Sequence, residues 1–124
     1  MKLHDNGVFL LHIADSFEKI AQYLGGMDKE SFFKNSLTQD AVVRNYEIIG
    51  EAARNITDDF RALHPEIDWR GMAGLRNILI HQYFGIDLNN VWNISKVHAP
   101  DTLAKIQALP EYQTAKKLLS NHRK

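Results

Sequence analysis

Cysteine is absent from these 124 residues, which removes disulfides, thiolate nucleophiles and thiolate metal sites from consideration. An excess of either charge is missing as well: fifteen Lys and Arg stand against fifteen Asp and Glu. That balance speaks against broad, sequence-independent binding to nucleic acid, which draws on many phosphate contacts, and it leaves room for a local site. Strand-like alternation extends over no useful length. No apolar run approaches the roughly 18 residues that a membrane span needs. The opening "MKLHDNGVFLLHIADSFEK" meets charges too early for a signal peptide. The expectation is a cytoplasmic protein with no membrane association.

What is present is ordinary globular composition, 44% hydrophobic and 24% charged, in a length suited to one compact domain over residues 1–124. Leu3, Phe9, Leu10, Ile13, Phe17, Ile20, Ala21 and Leu24 recur at helical intervals, and Gly25-Gly26 closes the pattern. "MDKESFFKN" predicts one or two helical turns with Phe32 and Phe33 turned inward. Ser36 and Gln39 have the spacing of a capping box. They open a long helix whose buried stripe is expected to hold Leu37, Ala41, Ile48, Ala52 and Ile56. "TDDFRALHPEIDW" predicts a short helix begun by Asp58 and Asp59, a turn at Pro65 and a fresh start at Asp68. A third long helix then runs from Asp68 to Phe84 and stops at Gly85. Asp87 caps the next helix, and Pro100 and Pro110 mark later starts. Lys116, Lys117, His122, Arg123 and Lys124 suggest a solvated last turn whose cations suit a helix carboxyl end. The fold class is all-α, an antiparallel up-and-down helical bundle.

Residues 76–84, "RNILIHQYF", set polar groups among aliphatic ones. At about 100° per residue, Asn77 and His81 lie about 100° and 140° round from Arg76, and Tyr83 sits almost directly above Arg76 two turns on. Such a patch suits phosphate chemistry. Arginine offers a permanent cation and a planar fork of donors, and histidine gives or takes a proton near neutral pH. RNA carries its own nucleophile in the 2′-hydroxyl, so its cleavage requires a base, an acid and positive charge at the transition state. One histidine per chain supplies half of that. A two-fold dimer would supply both halves, because an isologous interface duplicates every residue. On the residues alone a structural account stays open, in which Arg76 simply pairs with Glu47 or Glu51.

The pattern R-x-x-x-x-H-x-Y in "RNILIHQY" resembles the HEPN superfamily of helical ribonucleases. With "VVRNYEIIGEAARNI", "PEIDWRGMAGLRNILIHQYFGIDLNNVW" and "APDTLAKIQAL", the chain resembles the HepT-like toxins over nearly its whole length. The resemblance implies a dimeric HEPN-like bundle that cleaves RNA without metal or other cofactor, as the toxin of a toxin-antitoxin module. By the same resemblance Arg76 and His81 are the catalytic pair and Asn77 the accompanying polar position. Tyr83 is then the tyrosine to which a cognate MntA-type nucleotidyltransferase antitoxin transfers AMP.

Other groups have two readings each. Glu47 and Glu51, with Gly50 between them and Arg44 and Arg54 flanking, either orient Arg76 or His81 from a neighbouring helix or form surface ion pairs beside a packing glycine. Trp69 and Trp92 fall within apolar helical patterns and read as core or dimer anchors rather than base-stacking platforms. The histidines at 4, 12, 64, 81, 98 and 122 include no pair at the one-turn spacing of a helical zinc site, so no metal site is expected. The competing function is a non-catalytic helical module that binds a nucleotidyltransferase or a nucleotide.

Overall fold

Five of the helices begin where this chain places a short polar side chain just ahead of them. In the computed structural model, which describes the backbone of residues 2–80 and 87–123 and the side chains of residues 6–75 and 87–121, four side-chain caps do this work. Asp28 accepts from the Ser31 N–H at 2.8 Å, Asn35 from Thr38 at 3.0 Å, Asp68 from Gly71 at 2.9 Å and Asp87 from Asn90 at 3.1 Å. Each satisfies an amide that the first helical turn leaves without a partner. Thr57 aligns similarly with the Phe60 N–H, more loosely at 3.4 Å.

The elements are α1 (Lys2–Leu24), α2 (Lys29–Lys34), α3 (Ser36–Arg54), α4 (Asp58–Leu63), α5 (Trp69–Ile80), α6 (Leu88–Asn93), α7 (Ala99–Gln107) and α8 (Pro110–Arg123). A π-helical turn, Ile94–His98, joins α6 to α7. Among the described residues there is no strand. The expected all-helical bundle is therefore observed, with α3 packed between α1 and α5, and with α7 and α8 against α1. Among the described residues no helix is long and apolar enough to cross a membrane.

The core takes Leu10, Ile13, Phe17, Ile20 and Leu24 from α1. To these α3 adds Val42, Tyr46, Ile49 and Ala53, and α5 adds Trp69, Met72 and Leu75. The Trp69 indole N–H donates to the His64 carbonyl at 2.9 Å, so the ring is buried without stranding its polar atom. Trp92 is half-buried against Phe32, ring centroids 5.5 Å apart. Gly26 closes α1 at φ +75°, a left-handed position that favours glycine.

Several local expectations need correction. Asn35, not Ser36, caps α3, and the Gln39 amide turns back to the carbonyls of Phe32 and Phe33 instead of completing a capping box. Leu37 is 80% exposed, and Phe33 and Ala21 also face solvent. Ala41 and Ile48 are half-buried. Ala52 and Ile56 are buried as expected, and the rest of the stripe is rotated towards Val42, Tyr46 and Ile49. Lys116 and Lys117 lie midway along α8 and not in a last turn. The end of the expected third helix, from residue 81 to Gly85, lies outside the described residues.

Pro100 sits in the first turn of α7, as its position in the sequence suggests, but no break separates that helix from α6. The π-helical turn carries the chain from α6 into α7, with the Ala99 N–H donating to the Ile94 carbonyl five residues back. Proline has no N–H to place in an α-helical ladder and its ring clashes with the carbonyl four residues before it. A widened turn immediately ahead relieves both constraints.

Candidate active site

Helix α3 presents two faces with different duties. Its inner face buries Val42, Asn45, Tyr46, Ile49, Gly50 and Ala53. The Tyr46 hydroxyl reaches Ser95 in the π-helical turn at 2.7 Å, and the Ser95 hydroxyl donates in turn to the Val91 carbonyl at 2.8 Å. Burial, opposed by the Ser95 hydrogen bond, pushes the Tyr46 phenol up to about 12.

The other face of α3 meets α1 across an open groove of about 360 Å³. Arg44, Glu47, Ile48, Glu51 and Ala52 line it from α3 and Asn55 from the cap that follows, and their i, i+3, i+4 spacing makes one continuous stripe. Phe9 and His12 line it from α1, their rings edge to face at 6.5 Å. The groove thus has an aliphatic and aromatic floor with a cation, carboxylates and an imidazole at its rim. Asn55 is fixed by its own amide, which donates to the Glu51 carbonyl at 2.8 Å.

Of the residues singled out by sequence, Glu47 and Glu51 are therefore together, one turn apart on one groove. Arg76 and Asn77 stand on α5, which packs against α3; the structure describes their backbone alone. His81 and Tyr83 lie outside the described residues. Sequence reasoning missed the groove itself, with Phe9 and His12 as its α1 wall. The available signal was the exposed His12 one turn from Phe9, on the edge of an otherwise apolar stripe. Among the described residues no cluster of three or more His, Asp or Glu side chains is arranged to hold a metal.

Comparison with known proteins bears on the same helices. Residues 13–109 match the sequence model of the family described as "Ribonuclease HepT-like", a span that includes α3, α5 and the Arg76–Tyr83 motif. The chain is 44% identical over 101 residues to "Probable ribonuclease HepT" of Thermococcus cleftensis, covering 82% of this chain and 92% of that one. It is 40% identical over 107 residues to "Putative RNase MJ1380" of Methanocaldococcus jannaschii, covering 86% and 98%. A second protein of that organism, "Putative RNase MJ0127", is 37% identical over 109 residues, covering 88% and 90%. No solved structure gives a significant match. An all-helical bundle, the R-x-x-x-x-H-x-Y motif beginning on α5 and similarity across nearly the full length of these relatives agree: the chain belongs to the HepT-like ribonuclease family.

Proposed function

We propose that the chain is a metal-independent RNA endonuclease, the toxin of a toxin-antitoxin module, whose active unit is a homodimer with Arg76 and His81 of both protomers in one composite cleft. The observation that carries this is the Arg76, His81, Tyr83 spacing in a HepT-like chain. One His81 takes the proton from a ribose 2′-hydroxyl as the oxygen attacks the adjacent phosphorus. Its two-fold mate protonates the departing 5′-oxygen. The products are a 2′,3′-cyclic phosphate and a 5′-hydroxyl, and Arg76 holds the charge that develops between them. Asn77 assists by orienting the phosphate. Glu47 and Glu51 support the site from α3, the helix on which α5 rests.

Tyr83 is the regulatory position. Its phenolic oxygen attacks the α-phosphorus of ATP on a cognate MntA-type nucleotidyltransferase, pyrophosphate leaves, and the AMP adds bulk and negative charge near Arg76, where it competes with an RNA phosphate.

His81→Ala tests the assignment. Loss of cleavage with the far-ultraviolet circular dichroism unchanged is expected, and full cleavage by the variant would sink it. Tight binding to the nucleotidyltransferase by a purified protein that cuts no RNA would instead establish the non-catalytic interaction module. Mass spectrometry after incubation with the transferase and ATP reads the modification, and an unmodified Tyr83 overturns that part.

A further inference from the structure

The α1–α3 groove is built for more than supporting α5. We propose that it is a nucleobase subsite selective for guanine, which holds one unpaired nucleotide of the RNA substrate; this rests on the ribonuclease reading above.

Three observations carry it. The first is size. At about 360 Å³ the groove falls at the small end of the roughly 300–1,000 Å³ typical of small-ligand sites, enough for one nucleotide and too little for a folded partner.

The second is its apolar surface. Ile48 and Ala52 form a floor and Phe9 a wall, with the His12 ring set edge-on to Phe9. Single-stranded RNA is read by laying unstacked bases against such side chains and hydrogen-bonding their exposed edges. A neutral chain with a formal charge of +0 has little generic phosphate attraction to draw on. Recognition of an individual base therefore fits this composition better than a long basic track.

The third is the donor and acceptor set. Glu47 lines the groove and has no ion pair or hydrogen bond with a described residue. An ionised carboxylate is acceptor-only, with two oxygens side by side. Guanine places two donors, N1–H and N2–H, next to each other on its Watson–Crick edge and matches both oxygens. Adenine and cytosine set a donor beside an acceptor there, and uracil flanks one donor with two acceptors. Glu47 thus accepts from guanine and repels the acceptors of the other three. Arg44, one turn before Glu47 and also free of an ion pair with a described residue, supplies the fork of donors for the attached phosphate.

The test is a titration of the full-length protein with GMP and AMP, followed by amide chemical shifts and repeated with Glu47→Gln. GMP is expected to shift resonances of Phe9, His12 and Arg44 and to bind about tenfold or more tightly than AMP. Glu47→Gln, which replaces one acceptor with a donor at constant shape, is expected to erase that preference without moving the thermal unfolding midpoint. Equal binding of the two nucleotides, shifts confined to other surfaces, or a preference that survives Glu47→Gln would each overturn the subsite. Cleavage of an RNA oligonucleotide is assayed separately. Its absence in the wild type would end the ribonuclease reading, whereas the titration still decides the subsite.

Discussion

Asn6 and Thr57 grip each other from both ends: the Asn6 side-chain amide donates to the Thr57 hydroxyl at 3.0 Å, and the Thr57 N–H donates to the Asn6 carbonyl oxygen at 3.1 Å. Asn6 is 2% exposed, so both ends of a buried amide are matched, and the first turns of α1 are tied to the start of α4. Replacing Asn6 with Leu leaves the part-buried Thr57 amide without its acceptor. We expect a loss of about 1–3 kcal/mol, read as a lower denaturant midpoint with unchanged slope. Thr57→Ala should cost less on its own. A double-mutant cycle should then give a coupling energy clearly above zero, and simple additivity would show that the paired hydrogen bonds contribute nothing jointly.

Tyr46 makes stability fall at alkaline pH. Its phenol ionises near 10.0 when exposed and near 12 in the folded protein, because burial disfavours the anion. Below pH 10 both states hold the proton and the contribution is intact. Between about pH 10 and 12 the unfolded chain loses it first, so stability declines by up to about 2–3 kcal/mol. Tyr46→Phe removes the hydrogen bond to Ser95 at a cost of about 1 kcal/mol at neutral pH, and it should flatten the alkaline limb. A limb equally steep in the variant would assign the decline to other groups.

Helix α3 shows why its stripe was hard to read. "SLTQDAVVRNYEIIGEAARNI" carries apolar residues on nearly every side, so periodicity admits two phases that differ by about one residue. The choice falls to partners far away in sequence: Tyr46 turns inward because Ser95, forty-nine positions on, accepts its hydroxyl. That leaves Leu37 80% exposed and Ile49 fully buried. The consequence is measurable, since Leu37→Gln should change stability by no more than about 0.5 kcal/mol while Ile49→Ala should cost about 2–5 kcal/mol. Comparable losses in urea denaturation would contradict the observed rotation.

The starts at Asp68 and Asp87 were legible because one side chain and one nearby amide settle each of them. Asn35 displaced Ser36 because both residues cap helices well and only the path of α2 decides between them, with Gln39 already engaged by the carbonyls of Phe32 and Phe33. Arg76, His81 and Tyr83 stand out in the sequence as a motif of fixed spacing. The groove does not, since Phe9 and His12 reach Arg44 and Glu47 only after α1 and α3 have packed.

A composite cleft makes an inactive chain poisonous to an active one. If catalysis draws a base and an acid from the His81 of two protomers, a wild-type chain paired with His81→Ala has lost one of them. After exchange with about a ninefold excess of His81→Ala, a wild-type chain meets another wild-type chain about one time in ten, so cleavage per wild-type chain should fall about tenfold. A site complete within each chain predicts no fall at all. The two cases are separated by measuring initial rates at constant wild-type concentration, with bovine serum albumin replacing the variant in the control. A rate indifferent to added His81→Ala would remove the dimer from the mechanism and return the second catalytic group to a residue of the same chain.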